Sequence, residues 1–298
     1  MSEVVSAPNW DVSVLEVVRG EPAWQAIQAA NQFNEPPSEG MEYISIKLHV
    51  KSTYADSDEH SIGGADFALT GDQYIKYRGA SVVEPDPSLD AQLFTGGETE
   101  GWISFQVKVG EGNLILIVDE LLSFEDERFR FIALDENATL SVPEELKSIE
   151  PTELGTERTS PAPKDQIVIT EDWEVSIVEV IRGEDAWTMV QEANQFNDPP
   201  DEGMEYIAVK VHVRNISTDD QSTSIDSFYF KTTGSASVLY DLPSVVDPEP
   251  ALDANLYPGG EFEGWIIVQV AIGETNVILV FEPWLEFTDK NIRYISLD

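Results

Sequence analysis

The feature that most constrains this chain is that it says the same thing twice. Ala23-Trp24 through Ala30-Asn31-Gln32-Phe33-Asn34-Glu35-Pro36-Pro37 to Gly40-Met41-Glu42-Tyr43-Ile44 returns 163 residues later. The second version runs from Ala186-Trp187 through Asn194-Gln195-Phe196-Asn197-Asp198-Pro199-Pro200 to Gly203-Met204-Glu205-Tyr206-Ile207. Trp10/Trp173 and Trp102/Trp265 keep the same spacing. A duplication of this length makes each half a domain of ordinary size, so 298 residues are read as two copies of one module. The expected boundaries are 1–135 for the first module, 136–165 for a linker rich in Pro, Glu, Ser and Thr, and 166–298 for the second. The linker is read as an extended spacer between modules.

Within a module the periodicity is that of strands. Trp10–Val18 alternates apolar and polar residues and predicts a half-buried strand. Arg19-Gly20-Glu21-Pro22 breaks it, and Pro22 suits a first helical turn. Ala23–Ala30 reads as a short helix, ended by Asn31, Asn34 and Pro36-Pro37. In Met41–Val50, Ile44, Ile46, Leu48 and Val50 point one way and Ser45, Lys47 and His49 the other. A polar loop is expected over Ser52–Gly64, with strands near 66–69 and 73–77. After a proline-stiffened acidic loop, further strands are expected over Gly101–Val109, Asn113–Val118 and Arg128–Leu134. Many short strands and one short helix predict an all-β fold, two tandem immunoglobulin-like antiparallel sandwiches.

The motifs in order are a Trp-x-Val strand, a short helix, Asn-x-x-Asn-x-Pro-Pro-x-x-Gly-x-Glu-Tyr, and a Gly-Gly-x-x-x-Gly-Trp-Ile stretch near the end. This order resembles the telokin-like, immunoglobulin-like domains of unknown function of bacterial secreted proteins and lipoproteins. The resemblance covers both modules and leaves out the linker. It departs at Thr95, where the second copy has Pro258. It implies an exported sandwich in the cell envelope or outside the cell, and it brings no catalytic residues. The lipobox cysteine of a lipoprotein is missing from this chain, which has no cysteine at all. Met1-Ser2-Glu3 has neither the basic start nor the apolar segment of an export signal. That suits either a trimmed mature chain or one that was never exported.

Charge narrows the partners. The formal net charge is −39, which repels phosphate backbones and anionic lipid, so nucleic-acid and membrane-surface binding are disfavoured. No apolar run approaches a membrane span. Absence of cysteine removes disulfides, thiolate metal sites and cysteine nucleophiles together.

Residues that could carry chemistry are few. The calcium candidates are Glu84, Asp86 and Asp90, with Asp247, Glu249 and Asp253 in the second copy, because calcium wants several carboxylate oxygens near one point. No other cofactor is implied. Trp102 and Trp265 lie on the parity opposite to their strand's inward residues. They are either partner-contact rings or caps of the sandwich edge beneath a loop. His49 and His212 are expected at the surface, His60 in a charged loop, and Arg19 and Arg182 in pairs with nearby acids. Nucleophile elbow, phosphate-binding glycine loop and zinc-protease helix are all missing. The expectation is therefore a non-catalytic surface interaction or structural protein with a protein or glycan partner. A carbohydrate- or calcium-dependent adhesive module and, from another class, a hydrolase using the acidic loops are the alternatives.

Overall fold

The structure is a computed structural model and describes residues 4–119, 129–283 and 291–298. The chain forms two compact units, Met1–Leu140 and Ser141–Asp298. In the first, the elements are β1 (Val5–Ser6), β2 (Trp10–Arg19), α1 (Glu21–Ala30), β3 (Met41–Ser52), β4 (His60–Gly63), β5 (Phe67–Thr70), β6 (Tyr77–Arg78), β7 (Asp90–Leu93), β8 (Glu98–Lys108), β9 (Ile115–Asp119) and β10 (Phe129–Ala133). The second has β11 (Val168–Ile169), β12 (Trp173–Arg182), α2 (Glu184–Ala193), β13 (Met204–Asn215), β14 (Thr223–Asp226), β15 (Phe230–Thr233), β16 (Asp253–Leu256), β17 (Glu261–Ala271), β18 (Ile278–Phe281) and β19 (Arg293–Ser296).

Each unit is the antiparallel β-sandwich that the alternation predicts. In the first, one sheet has the order β1-β2-β3-β8 and the other β10-β9-β5-β6, with β4-β7 as a short separate ladder. The second repeats this as β11-β12-β13-β17, β15-β18-β19 and β14-β16. Ile44, Ile46, Leu48 and Val50 of β3 and Ile103, Phe105 and Val107 of β8 are buried on the inner face, as their parity requires. The run in β9 is buried at Ile115, Leu116, Ile117 and Val118, which explains why it does not alternate. A bulge between Val14 and Glu16 shifts the register of β2, and the same shift lies between Ile177 and Glu179. Of the final strand expected in the first module, Arg128 lies outside the described residues.

A second, smaller core lies on the outer face of the larger sheet. Ala23 and Ile27, one turn apart on α1, are buried with Tyr43, and Trp24, Val18, Ala80 and Val82 pack against them. In the second unit Ala186 and Val190 of α2 are buried with Tyr206, Ala208, Trp265 and Ile267. Helix and acidic loop therefore cover a sheet face that would otherwise be wet.

The structure departs from the sequence expectation in three places. Where a strand was expected near 73–77, residues 72–73 form a turn and only Tyr77–Arg78 form a strand, β6. The polar loop over 52–64 ends in β4, which pairs with β7 and buries Ile62. The linker over 136–165 is largely part of the second unit. Leu146 and Ala162 are buried, and Ala162 forms a parallel bridge with Ile295. Arg293 donates to the carbonyls of Thr152 and Ile169 at 3.0 and 2.8 Å. An edge segment held by backbone pairing needs only a couple of apolar anchors, so its polar composition hides it.

Candidate functional site

The stretch most faithfully repeated in sequence builds the most unusual surface feature. Asn31 ends α1, and its side-chain Oδ1 accepts from the Phe33 N–H at 3.0 Å. This is an Asx turn, in which the side chain replaces a backbone acceptor. Asn34 then ties the loop in two directions. Its Nδ2 donates to the carbonyls of Ile27 and Val83 at 2.8 and 2.9 Å, and its Oδ1 accepts from the Val83 N–H at 2.9 Å. The second unit repeats every bond: Asn194 holds Phe196 at 3.0 Å, and Asn197 holds Val190 and Val246 at 2.8–3.0 Å. Tyr43 and Tyr206 donate from their hydroxyls to the carbonyls of Glu35 and Asp198, each at 3.1 Å.

The ring at the centre of this lacework is left in solvent. Phe33 is 81% exposed and Phe196 83%. Val83 and Val246, on the far side of the asparagine clamp, are 52% and 50% exposed. The asparagines hold the loop through backbone groups, and the Phe ring takes no part in these bonds. A rigid loop offering an unburied aromatic is the opposite of what core packing asks of phenylalanine.

The acidic loop runs beside this site, and its carboxylates do structural work. Glu84 accepts from the Ser104 N–H at 2.7 Å and from its hydroxyl at 2.5 Å. Asp247 accepts from the Ile267 N–H at 3.0 Å. Burial raises the pKa of both, Asp247 to about 6. Farther along, the chain crosses the strand directly. Leu89 N–H donates to the Trp102 carbonyl and Trp102 N–H to that of Pro87, at 3.0 and 2.8 Å. Ala251–Leu252 cross Trp265 in the same way.

These contacts revise the residues singled out from sequence. Glu84 and Asp247 are engaged within the fold: both Glu84 oxygens accept from Ser104, and Asp247 Oδ1 accepts from the Ile267 N–H. Asp86, Asp90, Glu249 and Asp253 are exposed, and among the described residues no group of three or more His, Asp or Glu is placed to hold a metal. Trp265 is 8% exposed and part of the outer core, so it cannot serve as a partner-contact ring. Trp102 is half-buried beneath the crossing loop. Arg19 pairs with Glu42 at 2.7 Å and Arg182 with Glu205 at 2.8 Å. His49 meets Glu98 and His212 meets Glu261, at 3.2 and 3.3 Å. Lys47, Lys51, Lys210 and Arg214 on the same outer faces likewise pair with neighbouring glutamates.

The alternation rules gave no sign of two features. Phe33 and Phe196 sit in a polar loop where neither period applies, and their identical surroundings in both copies are the signal that could have marked them. The second feature is a buried carboxylate beside β8. Glu111 accepts from the Gln73 N–H and the Tyr77 hydroxyl at 2.9 and 2.8 Å. Its counterpart Glu274 accepts from Ser235 at 2.5 Å, Ala236 N–H at 3.1 Å and Tyr240 at 2.6 Å. The extra donors, the Ser235 hydroxyl first, pull Glu274 down to about 2. Burial pushes Glu111 up, and Asp72, standing where the other copy has Ser235, adds like charge.

Residues 164–292 match the model of a family described as a domain of unknown function, DUF4352. No curated protein matches the chain. Among solved structures the chain is similar to a Bacillus subtilis protein named as a candidate lipoprotein, ycdA, at 16% identity with a TM-score of 0.35; the match covers 45% of this chain and 39% of that one. The chain thus spans well under half of that protein. It is also similar to an uncharacterized β-sandwich protein of Clostridium difficile 630, at 12% identity and a TM-score of 0.29, covering 45% of this chain and 91% of that one. A third likeness is to a secreted protein of Mycobacterium tuberculosis, MPT63, at 14% identity and a TM-score of 0.27, covering 38% of this chain and 77% of that one. No helix among the described residues is long and apolar enough to cross a membrane.

Proposed function

We propose that this chain is a non-catalytic interaction protein of the cell envelope or the extracellular space, and that it meets its partner through the Phe33 loop and the Phe196 loop. The observation that carries the proposal is an aromatic ring left in water on a loop fixed by asparagine side chains, in both units. Exposed aromatics of low conformational entropy are the usual anchors of protein contacts. We read the first unit as a second copy of the telokin-like domain. Equivalent ladders, bulges and clamps in the two units support that reading. The envelope or extracellular address rests on the sequence resemblance to exported domains.

Absence of catalysis is also part of the proposal. The carboxylates whose pKa values burial raises, Glu84, Glu111, Asp226 and Asp247, accept from backbone N–H groups, and Glu84 and Glu111 from hydroxyls as well. That use supports a role as ties within the fold, away from acid–base work.

The test compares retention of the purified protein and its F33S/F196S variant on isolated bacterial envelope. The variant should keep its melting temperature, because the rings are exposed, and should lose at least ~10-fold in retention, the order expected of a contact anchor. Equal retention of the two proteins would refute the assignment of the loops.

A further inference from the structure

We infer that each Phe loop receives a cationic polypeptide segment bearing an apolar side chain, one segment per unit; this rests on the reading of the loops as contact sites. The patch itself is small. A Phe and a Val on either side of an asparagine clamp cannot supply the contact area of a purely apolar interface. A partner must gain from charge as well, and the local charge has one sign. The stretches that build the first site, Gly20–Ile46 and Gly79–Val107, contain no Lys, Arg or His. Gly183–Val209 and Leu242–Val270 in the second unit contain none either.

Comparison of the two units shows what is kept. Among the exposed acids, Glu35 becomes Asp198 and Asp86 becomes Glu249, while Glu39 and Glu202 agree, as do Asp90 and Asp253. The charge persists at all four pairs, and the side-chain length changes at two of them. Among the described residues no group of three or more His, Asp or Glu is placed to hold a metal. A field that draws in a flexible cation requires only the sign. Glu35 and Asp198, two residues past the ring, are both exposed. A guanidinium or ammonium lying over the Phe face therefore finds a carboxylate within the same loop, which adds an ion pair to the cation–π contact. The Val side of the clamp is left for the segment's apolar group. The net charge of −39 disfavours acidic partners over the same surface.

The experiment is isothermal titration of the full chain at about 0.15 M salt, where the Debye length is about 8 Å and diffuse attraction is screened. Four twelve-residue probes are used: alternating Arg and Leu, Arg and Ser, Gln and Leu, and Glu and Leu. The Arg/Leu peptide should saturate at two per chain. It should weaken at least ~10-fold on F33S/F196S and fall to one tight site on F196S alone. The Arg/Ser and Gln/Leu peptides should each bind at least ~10-fold more weakly, and the Glu/Leu peptide should not bind. If the Arg/Leu peptide binds F33S/F196S as tightly as the wild type, the attraction is charge alone and the inference falls. If the Gln/Leu peptide binds equally well in a Phe-dependent way, the cationic class falls while the Phe loops stand as contact sites. Melting temperatures of the variants confirm that the fold is intact.

Discussion

Asp247 should destabilise the second unit at neutral pH, and Asp247→Asn should remove that cost. The carboxylate is partly buried where the acidic loop meets β17, and burial raises its pKa from the ordinary 3.8 to about 6. Each tenfold change in protonation is worth about 1.4 kcal/mol, so the gap sets a ceiling of about 3 kcal/mol on the cost of the charge. Partial exposure screens it, and about 1–2 kcal/mol is the working figure. The sign follows from the direction. The folded pKa lies above the unfolded one, so the charged form is penalised above about pH 6 and the penalty disappears below 3.8. Asparagine keeps Oδ1 as acceptor for the Ile267 N–H, which Asp247 holds at 3.0 Å. Scanning calorimetry at pH 8 should therefore show the transition of the second unit raised by about 2–8 °C, given about 2–4 °C per kcal/mol for a unit of this size. At pH 4 the difference should close. A variant that melts lower at pH 8 would refute the reasoning, since hydrogen bonds to the charge would then outweigh its burial; so would a gain that persists unchanged at pH 4, since it would not come from the charge.

Two further predictions concern ties between loop and strand. Gly101→Ala should destabilise the first unit by at least about 2 kcal/mol, because a Cβ there would lie 2.4 Å from the backbone N of Leu89; urea denaturation measures it. Glu274→Gln should lower the melting temperature at pH 7. Glu274 is held at about 2 by the Ser235 and Tyr240 hydroxyls and nearby N–H groups, so its stabilisation is full above pH 4.5 and is lost as pH falls toward 2. The deficit of the variant should shrink over that same window.

The strands of the larger sheet were legible because Ile44–Lys51 of β3 and Ile103–Lys108 of β8 alternate apolar and polar residues, the period of a strand. The helix was legible from Pro22 and the stop at Asn31, Asn34 and Pro36-Pro37. Trp102 and Trp265 were placed correctly by parity, yet parity alone does not reveal what covers the outer face. That depends on Gly101 and Gly264, where the missing Cβ lets Leu89 and Leu252 run across the strand. The acidic loop suggested calcium because carboxylates in sequence do not declare what they bond to. Only in three dimensions does Glu84 meet Ser104 and Asp247 meet Ile267. The segment from Ser141 to Asp165 lacked apolar periodicity, since backbone pairing at a sheet edge leaves little trace in composition. Phe33 was hidden by the opposite problem: its importance comes from being unpacked, and no hydrophobic period marks an exposed ring.

Two rings in water, on loops tied by asparagine side chains, are what a partner would meet, and one NMR measurement tests both the exposure and the ties. With phenylalanine rings selectively labelled, a soluble paramagnetic agent should broaden Phe33 and Phe196 strongly and leave the buried Phe105 and Phe230 sharp. In the same sample the amides of Phe33, Val83, Phe196 and Val246 should exchange slowly, because each donates to an asparagine Oδ1. Rings shielded from the agent, or those four amides exchanging at the rate of an unstructured loop, would contradict that arrangement.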